Sequence, residues 1–269
     1  MRYEILGALR VVDDCGSRFI SARKTGTLLA VLLIRANQVV PREQLITELW
    51  GDSPPRRVDA ALHVYVSQLR KFLIRPGRPD SPIDTRAPGY LLRTGLDELD
   101  LDQFQRLVGD GRTHARAGRH QAVAASLEAA LSLWRGPVLE GLRDGPVVSH
   151  FIAWLDELRL ECWELLVSSY LALGRHHQLV STLRALIIEH PLHEVFHCQL
   201  MLALYGCGRR AEALGVYSAV RKTLRAELGL EPSRPLQVLQ QSILMDKDTD
   251  VAVPVAEPAG LVSLVRSRV

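Results

Sequence analysis

His193 and His197 stand four residues apart with Glu194 beside the first, in the stretch "HEVFH". Letter for letter this is the H-E-x-x-H pattern, in which two helical imidazoles one turn apart hold zinc and the glutamate activates its water. A zinc peptidase needs more, namely a third ligand, an open coordination position and a substrate cleft. No histidine follows His197, and the nearest later carboxylate, Glu212, falls inside "GRRAEAL", where glutamate is simply a good helix former. Five letters with two left free recur by chance in a chain with 9 histidines. The motif is therefore expected to be a coincidence, without a catalytic metal.

Other reactive patterns are sparse. Cys15, Cys162, Cys198 and Cys207 form no C-x-x-C pair and fit no small disulfide framework, which points to reduced thiols. The chain carries no G-x-x-x-x-G-K-[ST] phosphate loop, no G-x-G-x-x-G after a strand and no G-x-S-x-G elbow. No catalysis, cofactor or metal is expected.

Charge is more informative. The net +3 of the 269 residues divides unevenly: through Gly95 there are 15 Lys/Arg against 9 Asp/Glu, a net +6, and the remainder has 18 against 21, a net −3. The first third is the part that a polyanion would attract. The longest apolar run, "LLAVLLI" at Leu28 to Ile34, is far short of the roughly 20 residues of a membrane span. "MRYEILGALRVV" alternates like a strand and lacks the features of a signal peptide, so a cytoplasmic location is expected.

The elements that must position these charges change character along the chain. Tyr3 to Val12 reads as a strand, and "RFIS" as another after the turn "DDCGS". Three helices are predicted next. The first holds Leu28 to Ile34, and the second is "PREQLITELW", with Leu45, Ile46, Leu49 and Trp50 on one face. The third follows "DSPP", where Ser53 can cap, and runs through "RRVDAALHVYVSQLRKFLI". Its Leu62, Val66, Leu69 and Leu73 recur at helical spacing and define a buried stripe. At 100° per residue the opposite face carries Arg57, Ala60, Val64, Ser67, Gln68 and Lys71. After the turn-rich "RPGRPDSP" comes "IDTRAPGYLLR", two extended pieces bent at Pro88 and Gly89, with Arg86 near the tip.

Strands, three helices and a hairpin predict a winged helix-turn-helix. Such a helix fits the DNA major groove, where Gln and Ser read base edges and Lys and Arg reach bases or phosphates. A hairpin arginine such as Arg86 can enter the adjacent minor groove.

From Leu101 onward the pattern is helical almost throughout, and a repeat is visible in "AGRHQAVAASLEAAL", "LGRHHQLVSTLRALI" and "CGRRAEALGVYSAVR". Gly174 and Gly208 are 34 residues apart, the tetratricopeptide period, whereas Gly118 precedes Gly174 by 56, which calls for an insertion or an extra helix. An apolar position follows each Gly-Arg at the same offset: Leu127, Leu183 and Tyr217. The expected fold is mainly α with a small β component. It comprises a winged helix-turn-helix over 1–95, an all-α tetratricopeptide-like array over 96–246 and a loosely ordered tail over 247–269.

"VVPREQLITELWGDSPP", "ALHVYVSQLRKFL" and "TRAPGYLLR" resemble the winged-helix domain of the Streptomyces antibiotic regulatory protein family, itself similar to the output domain of two-component response regulators. "FQRLVGDGRTHARAGRHQAVAASLEAALSLWRGPVLEGL" and the stretch from "LGRHHQLV" to "LQQSIL" resemble its bacterial transcriptional activation domain. The resemblance covers nearly all of residues 1–246. It implies an activator of antibiotic or other secondary-metabolite genes that binds double-stranded DNA at direct repeats near the promoter −35 region. It also implies recruitment of RNA polymerase with its sigma factor, by a dimer or by side-by-side protomers.

Carried over by position, the resemblance puts Val64, Ser67 and Gln68 against bases. Arg70 and Lys71 then lie where basic residues touch phosphate or base edges, and Arg86 takes the wing-arginine place. Arg23 and Lys24, at the start of the first helix, are candidate phosphate contacts aided by the helix dipole. Ser67 and Gln68 stand where response regulators commonly carry two arginines, which implies a weaker salt dependence for this helix. A winged helix starting near Met1 leaves no room for a receiver domain, so activity is expected to follow the amount of protein. The reading from another class is an adaptor whose helical array and winged helix bind proteins and not DNA.

Overall fold

The structure, a computed structural model, describes residues 1–14, 16–74, 81–95, 97–142 and 145–245. The expected tail, Cys15 and most of "RPGRPDSP" lie outside them. In chain order the elements are β1 (Arg2–Glu4), β2 (Arg10–Asp13), β3 (Gly16–Phe19), α1 (Arg23–Ile34), β4 (Val39–Pro41), α2 (Arg42–Trp50), α3 (Val58–Leu73), β5 (Ile83–Arg86), β6 (Gly89–Leu92) and β7 (Glu98–Leu99). Helices follow: α4 (Asp100–Arg116), α5 (His120–Ser132), α6 (Pro146–Ala172), α7 (His176–Glu189), α8 (Glu194–Gly206), α9 (Arg210–Leu228) and α10 (Arg234–Leu244). Among the described residues no helix is long and apolar enough to cross a membrane.

The chain forms two compact units, Met1–Gly109 with Glu128–Leu160, and Asp110–Leu127 with the chain from Glu161 onward. In the first, α1 is buried from Thr25 to Leu33 and packs on α2 and α3. The α3 stripe of Leu62, Val66, Leu69 and Leu73 is buried as its spacing dictates, each side chain contributing at most about 1.5–3 kcal/mol by removal from water. One sheet has the order β3-β2-β1-β7, with β7 parallel to β1 and the other pairs antiparallel. The other has the order β4-β6-β5, placing Val40 opposite Tyr90 and Arg86 opposite Gly89.

Two local expectations are corrected. The strand expected from Tyr3 to Val12 is broken between Glu4 and Arg10. The Asp100 carboxylate accepts the Ile5 N–H at 2.9 Å and the Leu6 N–H at 3.0 Å. The carbonyls of Leu6 and Gly7 accept the N–H groups of Arg135 and Leu139 at 2.8 and 2.9 Å. The polar backbone that strand pairing would use is thus satisfied elsewhere. Ser53 does not cap α3, whose N-cap is Arg57 without a side-chain cap bond. Ser53 and Pro54 each precede a proline, which disfavours helical dihedrals at both.

Also within the first unit, the buried carboxylate of Glu48 on α2 accepts the Val147 and Val148 N–H groups of α6 at 2.8 and 2.9 Å. These are two of the orphan donors of a helix start. A Cβ at Gly145 would overlap that carboxylate, so this approach requires glycine.

In the second unit, α7 packs on α8, α8 on α9, and α10 on both α8 and α9. The Gly-Arg repeat has a local cause. Gly118, Gly174 and Gly208 adopt φ of 65°, 70° and 75°, and the following Arg119, Arg175 and Arg209 N–H groups reach back to the carbonyls of His114, Tyr170 and Leu204 at 3.0, 2.9 and 2.9 Å. Each is a Schellman-type stop, in which a left-handed glycine ends one helix and the next begins at once. Leu127, Leu183 and Tyr217 are buried at the matching positions. Among the described residues, the 56-residue interval contains no extra helix. It holds the connection from Leu133 to Gly145 and a 27-residue α6 where the next copy has a 13-residue α8.

Candidate nucleic-acid interface

Burial of the α3 stripe turns the other face of that helix outward. Arg57, Ala60, Val64, Ser67, Gln68 and Lys71 are all exposed, and Val64 at 53% exposure is a solvated apolar side chain on a polar face. An exposed apolar side chain with Ala60 and Ser67 about one turn to either side is suited to a thymine methyl group. Gln68 is not a free rotor: the Thr25 hydroxyl of α1 donates to its Oε1 at 3.3 Å.

Arg70 lies to one side. Its Nε donates to the Ile83 carbonyl at 3.1 Å and a guanidinium NH2 to the Thr85 hydroxyl at 2.8 Å, so it ties α3 to the first strand of the hairpin. That hairpin, β5 to β6, carries Arg86 at its tip, 64% exposed and 3.9 Å from the Asp84 carboxylate. Gly89 is obligatory in the hairpin, because a Cβ there would run into the Val40 carbonyl of β4.

At the start of α1 the two predicted cations differ. The Arg23 Nε donates to the Gly141 carbonyl at 3.2 Å on an exposed surface. The Lys24 ammonium donates to the Leu49 carbonyl at 2.9 Å and sits 4.7 Å from the Trp50 ring, a cation–π contact that holds it against the end of α2.

The fold also gathers residues that charge counting did not single out. Arg42 opens α2 and is exposed, with its N–H bonded to the Pro88 carbonyl of the hairpin turn at 3.2 Å. Burial pushes the Tyr90 hydroxyl above its ordinary range, and the nearby charges of Arg42 and Arg70 pull the other way. Only the pairing of β4 with β6 brings Arg42 beside the hairpin, and the short "VVP" gave little sign of a strand. Thr25 stands three residues ahead of the apolar run that begins at Leu28, and nothing in the sequence marked its contact with Gln68.

The H-E-x-x-H residues are engaged structurally. His193 lies outside α8 as its N-cap residue, and its Nε2 is 2.6 Å from Glu164 Oε1. His197 is buried, with Nε2 2.9 Å from the Pro191 carbonyl, while Glu194 accepts the Ser233 N–H at 2.7 Å. Burial holds the His197 imidazole below its ordinary range. The described residues contain no group of three or more His, Cys, Asp or Glu placed to hold a metal ion. Burial also pushes the Cys162 and Cys198 thiols up to about 12, far from the depressed values of nucleophilic cysteines.

An exposed helix face beside a cationic hairpin, in one chain with a helical array, defines a winged-helix regulator. Residues 17–92 match the family model "Transcriptional regulatory protein, C terminal", and residues 99–244 match "Bacterial transcriptional activator domain". The regulatory protein DnrI of Streptomyces peucetius is 35% identical over 250 residues, which cover 91% of this chain and 92% of DnrI. AfsR of Streptomyces coelicolor is 39% identical over 246 residues, 91% of this chain but 24% of AfsR. The solved structure of Mycobacterium tuberculosis EmbR in complex with a low affinity phosphopeptide superposes with a TM-score of 0.85 at 35% identity, covering 93% of this chain and 66% of that one. The chain belongs to the Streptomyces antibiotic regulatory protein family of transcriptional activators.

Proposed function

We propose that this activator binds direct repeats near the −35 region of promoters for antibiotic or other secondary-metabolite genes and recruits RNA polymerase with its sigma factor. Residues 1–95 read the DNA and residues 96–246 face the polymerase, with a dimer or side-by-side protomers on tandem sites. The observation that carries this reading is the exposed face of α3, polar and cationic opposite a buried stripe, next to a hairpin tipped by Arg86.

In this reading Val64, Ser67 and Gln68 meet base edges in the major groove, while Arg57 and Lys71 meet phosphate or base edges. Arg86 enters the minor groove. Arg70 acts at the same interface through the hairpin that its guanidinium holds. Arg23 contacts phosphate at the positive end of α1. Lys24 joins it only by releasing the Leu49 carbonyl. The protein performs no chemistry of its own, needs no cofactor and works in the cytoplasm.

Footprinting of the purified protein on fragments from its own gene neighbourhood, in a salt series and with or without RNA polymerase holoenzyme, tests the proposal. Protection of direct repeats on one helical face beside a −35 element, extended by polymerase, is the expected result. No protection at low salt would sink the DNA reading and favour a protein-binding adaptor.

A further inference from the structure

The bond between Thr25 and Gln68 constrains what Gln68 can read. Thr25 is 4% exposed, and Gln68 is the partner its hydroxyl finds among the described residues. The neighbouring Thr27 hydroxyl instead donates to the Arg23 carbonyl one turn back. Were the Gln68 amide turned the other way, its Nε2 would donate to the Thr25 oxygen and leave the Thr25 hydroxyl hydrogen without an acceptor. A buried donor without a partner is costly. The satisfied arrangement therefore has the Gln68 oxygen turned in toward α1. Because the amide is planar, its NH2 group is then turned out.

A glutamine normally recognises adenine with both ends of its amide, the oxygen accepting from N6 and the nitrogen donating to N7. Here the oxygen is committed to the protein. The outward end is a double donor, which suits an edge of acceptors, and the major-groove edge of guanine presents N7 and O6 side by side. The α3 backbone that carries Gln68 is fixed by its buried stripe and by the bond from Arg70 to the Ile83 carbonyl of β5, so the choice rests with the amide.

We propose that Thr25 is a specificity-positioning residue, which by holding the Gln68 oxygen inward makes Gln68 read guanine in preference to adenine. This rests on the DNA-reading assignment of α3 proposed above. To read adenine, Gln68 must break the bond and orphan a buried hydroxyl, a penalty of roughly tenfold in affinity.

The test measures binding of the full chain to double-stranded oligonucleotides bearing one protected repeat, with each base pair replaced in turn by the other three. The wild type, Gln68→Ala, Thr25→Val and Thr25→Ser are compared at fixed salt, with a thermal melt of each. Gln68→Ala should flatten the preference at one position, at which the wild type favours guanine over adenine by roughly tenfold. Thr25→Val should bring that ratio to within about threefold without altering the ratios at other positions, and Thr25→Ser should restore it. A general loss of fold would weaken all sequences together and leave the ratio intact, which counts against the proposal. If Gln68→Ala flattens one position but Thr25→Val leaves its ratio unchanged, or if the wild type favours adenine there, Thr25 has no such role. If Gln68→Ala flattens no position, the placement of α3 on bases fails and the inference with it.

Discussion

A single side chain on α3 can act on every sequence or on one base, and the two kinds of contact separate by salt. Lys71 is exposed at the end of the polar face. If it touches phosphate, Lys71→Ala should weaken all sequences alike and lower the slope of log affinity against log salt by about 1. Gln68→Ala should leave that slope intact and cost about 1–3 kcal/mol at its own base pair. Equal slopes for Lys71→Ala and wild type in a salt titration would remove Lys71 from the phosphate contacts. In the second unit, His197 supplies a pH dependence. Burial lowers its folded-state value, so the unfolded chain takes up the proton first, and stability is lost as pH falls below the ordinary histidine value of about 6.5. The melting temperature should drop between pH 7 and 5.5, and His197→Gln, which does not titrate, should flatten that drop. Parallel curves for the two proteins would refute this.

Among the elements, the contact between α2 and α6 gives the sharpest expectation. Glu48 accepts two N–H groups at the start of α6 from a buried position. Glu48→Ala leaves both donors unpaired, and about 2–4 kcal/mol should be lost from the unfolding free energy. Glu48→Gln, which still offers one oxygen, should lose less. A urea midpoint for Glu48→Ala equal to that of the wild type would show that water satisfies α6 equally well. The hairpin is similarly particular about Gly89, because β6 lies so close to Val40 that any side chain at that position must push the strands apart. Loss of that pairing would release Arg42 and Arg86 from their common surroundings.

At the scale of the molecule, the family models divide the chain between residues 92 and 99, whereas its first compact unit also takes in Glu128–Leu160. Asp100 and Arg135 explain why. Asp100 accepts the backbone of Ile5 and Leu6, and Arg135 pairs with both Asp100 and the buried Glu4, at 3.1 and 3.4 Å. Burial alone would raise the Glu4 carboxyl, but the hydrogen bond from Arg10 and the charges of Arg135, Arg10 and Arg2 outweigh it and hold it below its ordinary range. A chain ending at Gly95 loses Asp100 and Arg135, and with them the partners of Ile5, Leu6 and one of the cations on Glu4. It should melt at least roughly 10 °C below the full chain, or fail to fold. Circular dichroism checks this, and an unchanged transition would show that residues 1–95 are self-sufficient.

Periodicity alone determined a good deal. The α3 stripe, its exposed opposite face, the hairpin bent at Pro88 and Gly89, and the Gly-Arg stops of the array all follow from local rules, because helical spacing and glycine at positive φ act within a few residues. The want of a third ligand after "HEVFH" was also legible, because no histidine follows His197. Only the tertiary structure decided the rest. It broke the first strand with an aspartate 95 residues away in sequence and gave Glu48 the backbone of a helix 99 residues further on. It also turned Arg70 and Lys24 toward protein acceptors and set a buried threonine beneath Gln68. These are hydrogen bonds between groups remote in sequence, and no local period records them: the type of a polar residue announces that it needs a partner, and only the folded chain says which one it finds.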